Sequence, residues 1–234
     1  LGDPVGYSWY HSWQTRLEKR FSQGYTMQLS YTWAKAMEAT AFLNAQDPMP
    51  YEVVGGLDRT HRLTASGIWE LPFGRGRRFG SGWNKALDLI AGGWQLNGVM
   101  QRQSGPPLDW GNIIFNGDLK NIVLPASERS VDRWFNIDAG FNRKSAEQLA
   151  SNLRQWPFRH TGIRGDGQAR WDFSLIKYFQ LHEKVKLQFR AETFNALNHP
   201  NLAVPNRTPT SSAFGTITNQ DPPRSWQFAL KLEF

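Results

Sequence analysis

The chain has 234 residues, a formal net charge of +7 and 14% aromatic residues, but only 20% charged residues and no cysteine. The lack of cysteine excludes disulfides and thiolate metal sites, and no stretch of 18 apolar residues is present to form a transmembrane helix. The arginines and lysines are scattered without a basic helix or a binding motif, which argues against a nucleic-acid partner.

A hairpin is the first predicted element. Residues 12–21 and 25–33 each alternate between apolar and polar side chains, and Ser22, Gln23 and Gly24 lie between them. Strict alternation indicates a strand with one apolar and one polar face, and glycine provides the positive φ of a tight turn. Both strands are about ten residues long, which exceeds the usual five or six residues of a soluble sheet.

Two further strands are predicted over 62–71 and 94–103, with a helical turn over 84–91 between them that Asn84 caps. Another strand is predicted over 168–180. Continued alternation places Lys177 on its apolar face, which indicates either a bulge or an interfacial position.

The last two predicted strands cover 185–192 and 225–234, so that seven strands are clear and seven to eight are expected in all. The connections differ greatly in length: 22–24 and 180–184 are short, 72–93 is intermediate, and three are long, namely 35–60, 104–167 and 195–223. If successive strands reverse direction, all the long connections fall at one end of the sheet. This arrangement is typical of a bacterial outer-membrane barrel.

These patterns favour an all-β fold, an antiparallel transmembrane β-barrel segment. The strands are long enough to cross a hydrocarbon layer, which takes about 9–11 residues each. The second face is polar along its length, whereas a soluble barrel fills its interior with apolar side chains. The alternative is a soluble antiparallel barrel or sandwich, such as a carbohydrate-binding domain. The residues predicted to face a wet lumen are Arg16, Glu18, Gln28, Gln95, Lys186, Arg190, Glu192 and Lys231.

No catalytic constellation is recognisable, because the five histidines are dispersed and no hydrolase, zinc or phosphate-binding motif occurs. The sequence therefore predicts neither an enzyme nor a bound cofactor or metal. Residues 104–167 are interpreted as a long extracellular loop, and a small inserted domain is the alternative. Aromatic residues in this loop are candidate ligand contacts, although packing of the loops is the simpler explanation for most of them. They are Trp110, Phe115, Trp134, Phe135 and Trp156.

Short segments throughout the chain resemble one known family, the TonB-dependent outer-membrane receptors. The likeness is to the C-terminal part of the β-barrel in receptors of the Oar-like kind, which carry an N-terminal carboxypeptidase-regulatory-like domain. The segments keep the family's order and are LEKRFSQG (17–24), SYTWAK (30–35), ELPFGRG (70–76), GGWQLNG (92–98), QSGPPL (103–108), RWFN (133–136), DFSL (172–175), LQFRAE (187–192), FNALNHPN (194–201) and QFALKLEF (227–234).

The resemblance implies that residues 1–234 are the C-terminal part of a larger, 22-stranded barrel in the bacterial outer membrane. It implies energy-coupled uptake of a nutrient that the sequence does not identify. The implied partners are the lipid of the outer membrane, the machinery that assembles outer-membrane barrels and the TonB complex, which such receptors engage through N-terminal regions outside this chain. The alternative is an outer-membrane structural, adhesion or secretion-associated barrel that imports nothing.

The stretch SWQFALKLEF over 225–234 alternates strictly. Its large side chains are expected to face lipid, with Phe234 among the aromatic residues of the membrane interface. A terminal aromatic residue after such a strand also resembles the signal that the assembly machinery reads in this family. The residues expected to form that signal are Trp226, Phe228, Leu230, Leu232 and Phe234.

Overall fold

One antiparallel sheet dominates the computed structural model, which describes residues 5–148 and 153–234. The described strands are β1 (Tyr7–Ser22), β2 (Tyr25–Ala39), β3 (Val53–Val54), β4 (His61–Glu70), β5 (Trp94–Gln103), β6 (Pro107–Asp109), β7 (Arg159–Arg164), β8 (Gln168–His182), β9 (Val185–Phe194) and β10 (Ser225–Glu233). In the part described, the main sheet has eight strands in the order β1-β2-β4-β5-β8-β9-β10, with the short β3 paired to β2. A separate two-stranded sheet joins β6 to β7.

The seven predicted strands are all present, and two of them are considerably longer than expected. β1 begins five residues earlier than the alternation indicates, at Tyr7, and β2 continues six residues further, to Ala39. The two strands pair with each other in unbroken register from Tyr7 opposite Ala39, at the end away from the hairpin turn, to Lys19 opposite Met27. Pairing between neighbouring strands therefore extends both elements beyond the stretch in which apolar and polar residues alternate strictly.

The local signals for the connections are confirmed. Gln23 and Gly24 both have positive φ, 55° and 84°, as a two-residue hairpin turn requires. The helix α1 (Lys85–Ala91) begins after Asn84, whose side chain accepts a hydrogen bond from the Leu87 backbone at 2.8 Å. In the described segments no helix combines the length and the apolar character needed to cross a membrane.

Lys177 lies in regular strand and not in a bulge. It pairs with Trp94 on one side and with Phe189 on the other, and the irregularity of β8 falls later, between Gln180 and His182. The Lys177 ammonium turns toward α1, where it donates to the carbonyl oxygens of Gly92 and Asp88. The carbonyl oxygens at the C-terminal end of α1 thus provide hydrogen-bond acceptors for the ammonium group of this buried lysine.

The pairing register divides the long strands into two faces. The apolar face carries large side chains from every long strand, including Trp13, Leu29, Leu96, Leu175 and Phe228. The polar face carries their alternating neighbours. Because β-strand side chains have a period of two, the unbroken register keeps each set on its own side across the sheet.

All three long connections lie at one end of the sheet, and the tight turns lie at the other. We call the described residues at the long end, 40–60, 104–148, 153–167 and 195–224, the loop cap. The loop cap contains β3, β6, β7 and three short 3₁₀ helices, Leu119–Ile122, Ala126–Glu128 and Ser145–Glu147. The sorting of connections that the sequence predicts is therefore confirmed.

Close packing at one glycine of the sheet gives a first prediction. A Cβ at Gly67 would lie 2.8 Å from the Thr26 carbonyl oxygen, a backbone atom that cannot turn away. Gly67→Ala should therefore shift the β2–β4 pairing and lower the free energy of unfolding by about 1–3 kcal/mol. Gly82→Ala is the matched control, because a Cβ there meets nothing within 4 Å. Denaturant midpoints of the two variants make the measurement, and equal midpoints would contradict the close contact.

Candidate functional site

The polar face is the first candidate functional surface. All the residues predicted to face a lumen share this face, as the register of the strands shows: Arg16, Glu18, Gln28, Gln95, Lys186, Arg190, Glu192 and Lys231. They lie on five of the seven long strands, so that the face is hydrophilic over its width.

Four ion pairs on the polar face form within individual strands. In four strands a cation and a carboxylate two residues apart form an ion pair. The pairs are Arg16–Glu18 at 2.9 Å, Arg170–Asp172 at 2.9 Å, Arg190–Glu192 at 2.9 Å and Lys231–Glu233 at 3.0 Å. Residues i and i+2 lie on the same side of a strand, so this spacing brings each pair together without help from a neighbouring strand. Most of these pairs are well exposed, and each contributes little stability, about 0–1 kcal/mol.

The apolar face is exposed to a degree that a water-soluble sheet would not tolerate. Leu230 is 69% exposed and Phe228 is 67% exposed, and Trp13 and Trp33 are exposed at opposite positions of β1 and β2. A contiguous apolar patch of this size marks a surface that contacts another apolar phase or partner. The residues of the predicted assembly signal all belong to this face: Trp226, Phe228, Leu230 and Leu232 by their pairing with β9, and Phe234 by continued alternation.

The loop cap has a hydrophobic core of its own. Leu108, Trp110, Ile113, Phe115, Ile122, Phe135, Phe141, Ile163 and Phe214 form one buried cluster. Phe214 comes from the last long connection and contacts Phe135 and Phe141, with ring centroids 5.2 and 5.0 Å apart. The loops are therefore one packed assembly, in which residues 104–167 share their core with residues of the 195–224 segment. An independent inserted domain within 104–167 does not describe this arrangement.

The five loop aromatics proposed as ligand contacts lie in or against this core. Trp110, Phe115 and Phe135 are buried, and Trp134 and Trp156 pack against the cluster. The two partly exposed indoles also use their N–H groups internally, since Trp134 donates to the Arg164 carbonyl and Trp156 to the Phe115 carbonyl, both at 2.8 Å. Packing of the loops accounts for this placement, and a ligand would meet at most the outer edges of these rings.

Two arginines attach the loop cap to the end of the sheet that lies away from the tight turns. Arg164 of β7 donates to the Asp58 carboxylate at 2.5 Å, and the same carboxylate accepts a hydrogen bond from the backbone of Ala36 in β2 at 2.7 Å. Arg159 forms ion pairs with Glu38 of β2 and, at 3.1 Å, with Asp109 of β6. Asp58 is 1% exposed, so its charge depends on these partners.

A third arginine, Arg154, is held inside the cap. Its guanidinium lies 3.9 Å from the ring centroid of Phe158 and donates to the carbonyl oxygens of Trp110 and Trp156. Burial lowers the pKa of Arg154 from its ordinary value, and the negative charge of Asp109 partly offsets this effect. The arginine remains charged at neutral pH, because an arginine pKa starts far above 7.

Sequence reasoning did not identify Asp58, Arg159 and Arg164. Arg164 belongs to the long connection 104–167, and Asp58 lies 106 residues before it. No local spacing connects two residues so far apart. They come together only because β7 packs near the end of β2 that lies away from the tight turns.

Comparison with known proteins gives one match. The model of a family described as "Outer membrane beta barrel domain" matches residues 2–227, nearly the whole chain. Neither the curated proteins nor the solved structures contain a match to this chain.

The Asp58 ion pair gives a second prediction. Asp58→Asn leaves Arg164 partly buried without its counter-charge, and removing one partner of a buried pair costs about 3–5 kcal/mol. We expect protease to cut within 104–167 at least ten times faster in this variant, because the cap detaches from β2. Asp132→Asn is the control, since Asp132 is exposed. Equal cleavage of both variants would show that Asp58 does not hold the cap.

Proposed function

The chain belongs to the family of outer membrane beta barrel domains, and from this premise we propose that it is part of the barrel of a TonB-dependent receptor that imports a nutrient across the bacterial outer membrane. Membership of the family makes the protein an outer-membrane barrel protein of bacteria. The import activity rests on the resemblance of its segments to TonB-dependent receptors. The observation that carries the proposal is a two-faced sheet whose one end is covered by a packed loop cap.

We propose that the apolar face contacts lipid and that the polar face lines the lumen. An arginine or lysine in contact with lipid at mid-depth costs about 2–4 kcal/mol, and the opposite arrangement would place several there at once. Arg16 and Arg190 are among them. With the polar face toward the lumen, its ion pairs lie in water, where little free energy is lost by desolvation of their charges.

The loop cap is proposed to lie outside the cell, with the tight turns toward the periplasm. Long outer loops and short periplasmic turns are the rule in outer-membrane barrels. The cap then stands where a nutrient arrives. Its packed core makes it a fixed surface, so selection of the nutrient belongs to side chains on the outside of the cap and to the lumen and not to the buried rings of Trp110, Phe115 and Phe135.

Further strands are proposed to complete the barrel. Among the described residues β1 and β10 are the edges of the sheet. A membrane offers no water to satisfy the free backbone groups of an edge, so a spanning sheet must close. Lipid around the apolar face is the partner that follows from this arrangement. The assembly machinery during insertion and the TonB complex, engaged through N-terminal regions, are proposed from the resemblance to TonB-dependent receptors. A barrel that serves adhesion, secretion or structure without import is the second candidate.

A comparison of nutrient depletion separates the two candidates. The native bacterium, a strain lacking the gene and a strain lacking TonB function are grown in a defined mixture of ferric chelates, cobalamin, oligosaccharides and peptides. Mass spectrometry of the medium follows each compound. Import predicts one compound that only the wild type removes. If all three strains remove every compound equally while the gene deletion reduces adhesion or secretion, the second candidate is correct.

The orientation of the two faces gives a third prediction. Leu230→Arg places a charge near the middle of β10 on the apolar face, and Ala229→Arg places the same charge one residue away on the polar face. We expect the first variant to lower the free energy of unfolding in phospholipid vesicles by about 2–4 kcal/mol and the second to change it by less than about 1 kcal/mol. Urea titration of the complete protein measures both. A larger loss for Ala229→Arg would reverse the assignment of the faces.

The assembly signal gives a fourth prediction. Phe234 is 94% exposed and continues the apolar face of β10. We expect Phe234→Asp to reduce the amount of protein found in outer-membrane fractions several-fold, because the apolar end of the strand is what the assembly machinery is proposed to read. Glu233→Gln changes the neighbouring side chain on the polar face and should leave that amount unaltered. Wild-type levels of Phe234→Asp would refute the signal.

A further inference from the structure

The apolar face has an uneven distribution of charge that its membrane contact alone does not explain. Every carboxylate of the long strands lies on the polar face: Glu18, Glu38, Glu70, Asp172, Glu192 and Glu233. The apolar face carries cations only near the strand ends, Lys19 and Lys177 toward the tight turns and Lys35 and Arg102 toward the loop cap. A face with cations at its borders and no anion is complementary to lipids with anionic headgroups.

Arg102 is the most unusual of these cations. It pairs with Leu63 on one side and Ala169 on the other, and its side chain therefore projects from the apolar face. It is exposed and makes no hydrogen bond or ion pair with the described residues. A lone arginine on a lipid-facing surface is tolerated only near the interface, where it costs about 0–1 kcal/mol, and it keeps all its N–H donors free there.

Arg102 lines a cavity of about 860 Å³ beneath the loop cap. Arg129 and Arg164 reach the same cavity from the cap, and His61 and His199 also line it. Arg129 uses one N–H for the Leu124 carbonyl at 2.8 Å, which leaves its other donors available. Three arginines, two of them with free donors, thus converge on one side of the barrel wall.

The charges that oppose this cluster are few. Asp58 neutralises Arg164 directly. Asp166 lines the cavity itself, and its carboxylate accepts a hydrogen bond from the Gly167 backbone at 2.9 Å. His61 shares a hydrogen bond with the Tyr31 hydroxyl at 2.8 Å. The two cations Arg102 and Arg129 outnumber the one carboxylate of Asp166, so the cavity keeps a positive excess.

An apolar groove of about 500 Å³ continues from this cavity down the apolar face. Gly67 and Gly98 are directly paired and form its floor, because neither has a side chain to fill the space between the neighbouring strands. Trp69 and Phe173 are among its walls, and Trp171 lines both the groove and the basic cavity. The two spaces are thus adjacent parts of one channel along the outside of the wall.

The length of this channel places its glycine floor within one leaflet of a membrane. From Leu63 in the basic cavity to Gly67 in the groove is four residues along β4, or about 13 Å. With the strand tilted by about 45°, this corresponds to roughly 9 Å of depth, which is less than half of the roughly 30 Å hydrocarbon core. A phosphate at the basic end would thus sit at the membrane surface and an attached acyl chain would lie in the groove.

We propose that this channel is a binding site for a phosphorylated glycolipid of the outer leaflet, with its phosphate on Arg102 and Arg129 and one acyl chain over Gly67 and Gly98. The side of the membrane follows from the orientation proposed above, in which the loop cap lies outside. Arginine matches phosphate through paired N–H donors, and such charge-assisted bonds are strong where water is limited. Bound there, the lipid would join the loop cap to the barrel wall.

The test measures the lipid that remains on the complete protein after extraction in mild detergent. Native mass spectrometry counts bound molecules after addition of a phosphorylated lipid A, of the same lipid without phosphate, or of phosphatidylglycerol. We expect the wild type to retain one lipid A in preference to both others. Arg102→Gln should weaken retention roughly tenfold, as expected for the loss of one hydrogen-bonded contact to a charged group. Gly98→Val should also weaken it, by filling the groove.

Arg62→Gln is the matched control, because Arg62 lies next to Leu63 but on the polar face. It should retain lipid A as the wild type does. Equal retention by wild type and Arg102→Gln, a preference for phosphatidylglycerol, or displacement of the lipid by millimolar inorganic phosphate would each overturn the proposal. The readout does not involve import, so a receptor that retains lipid A but takes up no nutrient would contradict the proposed function and leave the lipid site intact.

Discussion

The organisation of this protein depends on the alternation of side chains in long paired strands. Because the period is two, one register error would move the charges of a strand onto the apolar face. The pairing from β1 through β10 keeps each strand in phase with the next, and the few irregularities fall close to the tight turns, between Lys19 and Ser22 and between Gln180 and His182. A bulge at a turn changes only the last residues of a strand, so the two faces stay separate where a membrane makes the separation necessary.

Alternation also explains how much of the fold the sequence predicts. It located the seven long strands, the short turns and the helix that Asn84 caps, since each of these depends on residues close together in the chain. The outer extensions of β1 and β2 were not predicted. There the sequence around Ala34, Ala36 and Ala39 loses its contrast between the two faces, and strand structure is maintained by the partner strand and by the loops that cover it.

The loop cap was the least predictable part, for a physical reason. Its core combines Trp110, Phe135 and Phe214, which come from two different connections, and Asp58 meets Arg164 only when a third connection is also in place. Such contacts leave no period in the sequence. The aromatic residues of 104–167 were conspicuous, yet their number alone does not distinguish a binding surface from a small core. Burial makes that distinction: the rings that best suit stacking on a ligand are the ones that hold the loops together.

The ion pairs along single strands of the polar face have a consequence for any solute that moves past them. A cation and a carboxylate about 3 Å apart form a local dipole, and the field of a dipole declines faster with distance than the field of a single charge. The four pairs therefore make their part of the wall polar at its surface but weak in its field a few ångströms away. Arg62 and Lys186 lie on the same face without an ion pair among the described residues. In the proposed lumen, a passing anion would therefore be attracted to these two cations and little affected by the four pairs.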